Sequence, residues 1–133
     1  MRLALTFLML SLLLAACGHR DQSQAVPADA KLRKALTGSW VQGTNLILTL
    51  APDGSFVSVW TNSPTKPGWS WKYEGTWGVA EGAYVATVTN SRSWGSTNRD
   101  AVGTVGHCRI IALDDRELTW ECEGQTISFS RRR

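Results

Sequence analysis

The sequence predicts an all-β fold, an antiparallel up-and-down meander of about eight short strands closing into a small barrel. Three observations carry that expectation. Apolar residues alternate with polar ones at the strand period from Ser39 onward, most clearly where Trp69, Trp71, Tyr73, Trp77 and Val79 share one face. Turn-forming groups, among them Pro52-Asp53-Gly54, Glu81-Gly82 and Gly124, separate one alternating run from the next. Beyond Leu36 no stretch keeps the helical period for any length. Consecutive hairpins with one apolar face close on themselves, because closure removes the edges of the first and last strands. An open sandwich is the alternative arrangement.

The chain opens with Arg2 and an apolar run over residues 3–14, interrupted only by Thr6 and Ser11, then Ala15 and Ala16. A charged start, a short apolar run and small residues at a cut site make residues 1–16 a secretory signal peptide. The run of about a dozen residues falls short of the roughly 20 that span a bilayer as a helix. Leu14-Ala15-Ala16-Cys17 resembles the lipobox of bacterial lipoproteins. The resemblance implies cleavage before Cys17, a diacylglycerol on its sulfur and an acyl chain, palmitate for instance, on its new amino group. It places the protein in the bacterial cell envelope, anchored by lipid. Gly18 stands where an inner-membrane retention signal has Asp, which points to the outer membrane, facing the periplasm. A plain signal peptide followed by a chance Cys is the alternative.

Residues 17–31 are polar, carry Pro27 and form the tether, with the folded domain over 32–133. Just ahead of the strands, Leu32, Ala35 and Leu36 are spaced i, i+3, i+4 and predict one or two helical turns, with Asp29 as N-cap and Thr37-Gly38 as the stop. Leu46, Leu48 and Leu50 then alternate with Ile47 and Thr49, and residues 55–60 return beside them. Pro64 and Pro67 fall in the connection 61–68. In the next strand Gly75 takes an inward slot, where a bend or a neighbouring ring needs no side chain. Residues 83–89 form the following strand and residues 90–100 a long polar loop. The last strand, 125–131, has Ile127 and Phe129 on one face.

The formal charge of +3 is not a nucleic-acid footprint. Arg2 leaves with the signal peptide, Arg131, Arg132 and Arg133 end the chain, and the other Lys and Arg are interleaved with Asp and Glu. With Cys17 assigned to lipid, Cys108 and Cys122 remain, and in an oxidising compartment an even pair reads as a disulfide. Folding the chain at Asp115 puts Leu113 opposite Glu117, Ile110 opposite Trp120, Arg109 opposite Glu121 and Cys108 opposite Cys122. Directly opposed Cα atoms lie about 4.5–5.5 Å apart, inside the roughly 4.4–6.8 Å that a disulfide accepts. His107 with the two Cys is a poor metal-ligand set, since neighbouring side chains on a strand point to opposite faces. No cofactor is expected.

A short helical turn leads into Gly38-Ser39-Trp40, Pro52-Asp53-Gly54-Ser55-Phe56 follows, and Gly75-Thr76-Trp77 repeats the Gly-x-Trp element. This pattern resembles the lipocalin-like (calycin) barrels, small bacterial members in particular, over about residues 32–131. The resemblance implies that Trp40 plugs the closed end of a barrel. It carries over no ligand-binding residue.

Catalytic parts are few. His19 lies in the tether and His107 beside the disulfide, and there is no phosphate loop or zinc spacing. Glu121 and Glu123 share a strand face, but Arg109 opposite Glu121 makes an ion pair the better reading. Of the seven tryptophans, Trp71, Trp77 and Trp120 read as core. Trp94 sits among polar, turn-forming residues, and aromatic and Arg side chains on loops of a rigid scaffold are typical binding anchors. Trp94, Arg92 and Arg99 are therefore the leading candidate contacts, with Trp60 and Trp69 on the same rim or capping the core. The expected function is a non-catalytic binding module, acting through rim loops on a protein partner or through a small cavity on an apolar ligand. The alternative is a periplasmic inhibitor or immunity protein that blocks a lysozyme- or protease-type hydrolase. Interior volume separates the two: a cavity of ~300 Å³ or more favours a ligand, and a filled barrel leaves only surfaces.

Overall fold

The computed structural model describes residues 28–61, 70–95 and 101–133. The expected signal peptide, Cys17, most of the tether, Trp69 and Arg99 lie outside the described residues. One helix, α1 (Ala28–Leu36), precedes strands β1 (Gly38–Gln42), β2 (Leu46–Leu50), β3 (Ser55–Thr61), β4 (Ser70–Ala80), β5 (Ala83–Trp94), β6 (Val105–Leu113), β7 (Glu117–Cys122) and β8 (Gln125–Arg131). The strands pair in sequence order, all antiparallel, and β8 returns to β1 to close the barrel. The predicted all-β meander is the observed fold.

One end of the barrel is stoppered by α1. Leu36 and Trp40 are both fully buried there, and the Trp40 indole donates to the Leu36 carbonyl at 2.8 Å. Arg131, at the end of β8, lies 4.1 Å over the Trp40 ring and donates to the carbonyls of Thr37 (3.0 Å), Ala35 (2.7 Å) and Asp115 (2.9 Å). The carbonyls at a helix C-terminus have no partner within the helix, so one guanidinium satisfies them and ties three elements together. In the sequence Arg131 shows only as the end of the last strand and one of three terminal charges. Arg33 adds a second cation, 5.1 Å over the Trp77 ring, and Trp77 donates its indole N–H to the Ala51 carbonyl at 2.9 Å.

Asp29 is not the N-cap. It lies inside the first turn of α1, and its carboxylate accepts from the amides of Glu81 (3.1 Å) and Gly82 (2.9 Å). Both of those residues have positive φ, 51° and 76°. Such a tight turn presents successive amides that form a small anion-binding concavity, and that outcompetes a cap.

Two bulges correct the expected registers. Between β6 and β7, Cys108 faces Cys122, Arg109 faces Glu121 and Ile110 faces Trp120 as predicted, and the disulfide spans Cα atoms 4.5 Å apart. The register then shifts, so that Leu113 faces Leu118 rather than Glu117. Uninterrupted pairing would set Leu113 against a charge; the bulge puts both leucines against the core and leaves Ile111 exposed. The second bulge lies in β5, where Gly75 faces Val88 but Glu74 faces Asn90, leaving Thr89 as the extra residue. Residues 90–94 are thus strand, not the start of a loop. β4 is long enough to pair them down to Ser70 opposite Trp94, and their polar character reflects where they lie in the barrel, not a lack of partners. Gly75 fills the predicted inward slot: a Cβ there would collide with the Thr87 carbonyl and the Phe56 ring.

Candidate functional site

Inward positions of the strands decide what the barrel holds. Leu48, Phe56, Tyr84, Ala86, Val88, Trp120 and Phe129 are all buried, yet they do not fill the interior. A cavity of about 350 Å³ remains, with walls that run from Phe56, Tyr84 and Phe129 to Leu46, Thr104, Cys122 and Glu123 at the strand ends away from α1. Aromatic rings dominate it. Tyr84 stacks on Trp120 with centroids 4.6 Å apart, and Trp120 meets Phe129 edge-on at 5.2 Å. Ser58, Ala86 and Gly106 are the small residues of the wall, and with little or no side chain they leave the space open.

The polar content of the wall is sparse. Ser58, Tyr73, Tyr84, Thr104 and Glu123 contribute to it. Burial pushes the Tyr84 phenol far above its ordinary range, so it is a neutral hydroxyl at any physiological pH. Among the described residues of the wall, Glu123 is the one Asp, Glu, His, Lys or Arg. Two indole donors, Trp60 Nε1 and Trp120 Nε1, are buried with no hydrogen-bond partner. Among the described residues no group of three or more His, Cys, Asp or Glu is placed to hold a metal ion.

Among the described residues, the candidates named from sequence do not share one face. Trp60 pairs with Leu46 and Trp71 on the inner face, and its ring lies 4.9 Å from that of Trp71, in line with Tyr73 at 6.4 Å beyond. Trp94 and Arg92 face the other way. The extra residue Thr89 reverses the alternation of β5, so Arg92 lies opposite Lys72 and Trp94 opposite Ser70 on the outer face. Trp94 is 51% exposed. Arg99 and Trp69 fall outside the described residues. From sequence, Tyr73, Trp120 and Phe129 read as packing, Glu123 reads as a solvated neighbour of Glu121, and nothing singles out Tyr84. The signal available was the run of small inward residues, Ser58, Ala86 and Gly106, opposite large rings. The Arg109–Glu121 ion pair is present, at 3.2 Å.

No protein-family model matches the chain, and no curated protein matches it. Among solved structures, it is similar to a lipocalin-like protein from Bacteroides uniformis, at 14% identity and a TM-score of 0.54, over 74% of this chain and 99% of that one. At that identity the likeness speaks to fold alone. The chain has a lipocalin-like fold: an eight-stranded antiparallel barrel with a helix at one end and an aromatic-lined cavity inside.

Proposed function

We propose that the protein is a lipid-anchored lipoprotein of the bacterial envelope, held at the outer membrane through Cys17, whose barrel binds one small apolar molecule without catalysis. The observation that carries the binding role is the cavity of about 350 Å³, within the range of roughly 300–1,000 Å³ typical of small-molecule sites. Its wall is apolar and aromatic, with a few polar groups to orient a ligand, and its fold is one that holds a single small ligand when eight strands leave space inside. The anchor rests on the Leu14–Cys17 motif. Two or three acyl chains make attachment stable, since each buried methylene contributes ~0.8 kcal/mol.

The test is a fluorescence titration with the neutral, environment-sensitive probe N-phenyl-1-naphthylamine. Saturable enhancement at one probe per protein is expected, together with quenching of the barrel tryptophans. Absence of saturation would remove the ligand role. For the anchor, Cys17→Ser should release the protein from membranes or leave it unprocessed, and a processed variant that still fractionates with membranes would contradict the lipobox reading.

A second reading has its own observation. Trp94, half-exposed beside Arg92 on the outer face of β5, offers residue types that dominate protein interfaces, as an inhibitor or immunity protein would use. Trp94→Ala should then weaken capture of a protein partner while leaving probe binding intact.

A further inference from the structure

The charges on the described wall of the cavity are one-sided. No Lys, Arg or His contributes to its wall among the described residues, and Glu123 does. Two outer-face glutamates are paired: Glu74 with Lys72 at 2.6 Å and Glu121 with Arg109 at 3.2 Å. Glu123 has neither an ion pair nor a hydrogen bond among the described residues. It occupies the turn between β7 and β8 at φ 50°, where Asn, Asp or Gly would be the relaxed choice. The β4–β5 turn makes an internal comparison. It carries the same Glu-Gly dipeptide, Glu81-Gly82, at the closed end, but there both turn amides are taken by Asp29 and neither residue belongs to the wall of this cavity.

Aromatic faces carry partial negative charge and attract organic cations, quaternary ammonium groups above all. Phe56, Tyr73, Tyr84, Trp120 and Phe129 all belong to the wall. From the rings, the unpaired carboxylate and the lack of a cation in the described wall, we infer that the cavity selects a hydrophobic ammonium: an apolar body inside and a positively charged nitrogen at the mouth, facing Glu123. The same arrangement disfavours fatty-acid-like ligands, whose carboxylate would meet Glu123 with no counter-charge in the described wall. This inference rests on the cavity being the ligand site.

The experiment separates the two claims. It uses the chain from Gly18 onward, without lipid, which retains α1 and the closed barrel with its own core. Three ligands with one apolar body, decan-1-ol, decyltrimethylammonium and decanoate, compete with N-phenyl-1-naphthylamine below their micelle-forming concentrations. The expected order is ammonium tightest, alcohol intermediate, carboxylate weakest. Glu123→Gln should weaken the ammonium by about five-fold, the upper range for an exposed charge pair, and leave the alcohol unchanged. Glu81→Gln, the same residue type in the matching turn, should alter neither. Binding of all three ligands with equal affinity, or an ammonium preference that survives Glu123→Gln, would overturn the charge selectivity and leave the cavity as a site. Failure of decan-1-ol and of the probe to bind at all would overturn both.

Discussion

The four tryptophans whose surroundings are best defined divide between the two halves of the barrel. At the closed end, Trp40 and Trp77 each give their indole N–H to a backbone carbonyl and each lies under an Arg guanidinium. In the other half, the indole nitrogens of Trp60 and Trp120 are buried with no hydrogen-bond partner among the described residues, and each ring lies against another, Trp60 tilted on Trp71 and Trp120 stacked on Tyr84. A buried donor left unmatched costs about 1–3 kcal/mol. The interior at the closed end therefore resembles a finished core, with both indole donors matched. The cavity half keeps unmatched donors, free volume and a carboxylate without a partner. Stability is concentrated in one half, and room for a ligand in the other.

Substitutions can break this contrast. The largest effect should come from Trp40→Ala. Removing a fully buried ring that also carries a hydrogen bond should cost about 4 kcal/mol, read as a fall in the denaturant midpoint, and probe binding should weaken only through unfolding. Loss of the Cys108–Cys122 bridge, by Cys108→Ala with Cys122→Ala, should cost about 3 kcal/mol, the chain-entropy value for a cross-link over a sequence separation of 14. Because Cys122 belongs to the cavity wall, that variant should also loosen the probe at temperatures where it is still folded. Arg131→Met should cost about 2 kcal/mol, since it strips charged hydrogen bonds from carbonyls of Ala35, Thr37 and Asp115. Probe affinity should be unchanged, because the residue lies at the far end. The smallest effect belongs to Trp94→Ala, within about 0.5 kcal/mol of the parent by thermal melting, as expected for an exposed side chain.

Acid should act on the closed-end turns and on the Lys72–Glu74 pair of β4, where the hydrogen bond from Lys72 lowers the Glu74 carboxyl. Hydrogen bonds from Ser55 hold the Asp53 carboxyl below the ordinary aspartate range, and the backbone amides of Arg116 and Glu117 do the same for Asp114. A carboxyl whose pKa is lower folded than unfolded contributes stability above its unfolded pKa and loses it as pH falls through the folded one. The melting temperature should therefore drop below the ordinary carboxylate range, and Asp114→Asn should flatten that drop without touching probe binding.

Much of the architecture was readable because its causes are local. Period-two alternation, turn dipeptides and the two Cys equidistant from Asp115 placed the strands, the barrel and the disulfide. The bulges were not readable, since each is a compromise settled by distant burial: Leu113 against Leu118 in one case, the length of β4 in the other. That single extra residue, Thr89, sent Trp94 and Arg92 outward, onto the face opposite Trp60. Arg131 was hidden for a related reason, because its partners Ala35 and Thr37 lie at the opposite end of the chain and a backbone carbonyl leaves no trace in sequence. The cavity depends on volumes summed over several strands, a quantity no one run of residues displays.

The central claim is that the half away from α1 is a ligand site. Calorimetric titration of N-phenyl-1-naphthylamine into the parent and into Ala86→Phe tests it most directly. Ala86 belongs to the cavity wall, and a phenyl group there would occupy the space a ligand needs. The account predicts one site per chain in the parent and loss of that site in Ala86→Phe, with the variant's far-ultraviolet dichroism and melting temperature showing a folded barrel. Equal binding by a folded Ala86→Phe, or no saturable heat in the parent, would contradict it.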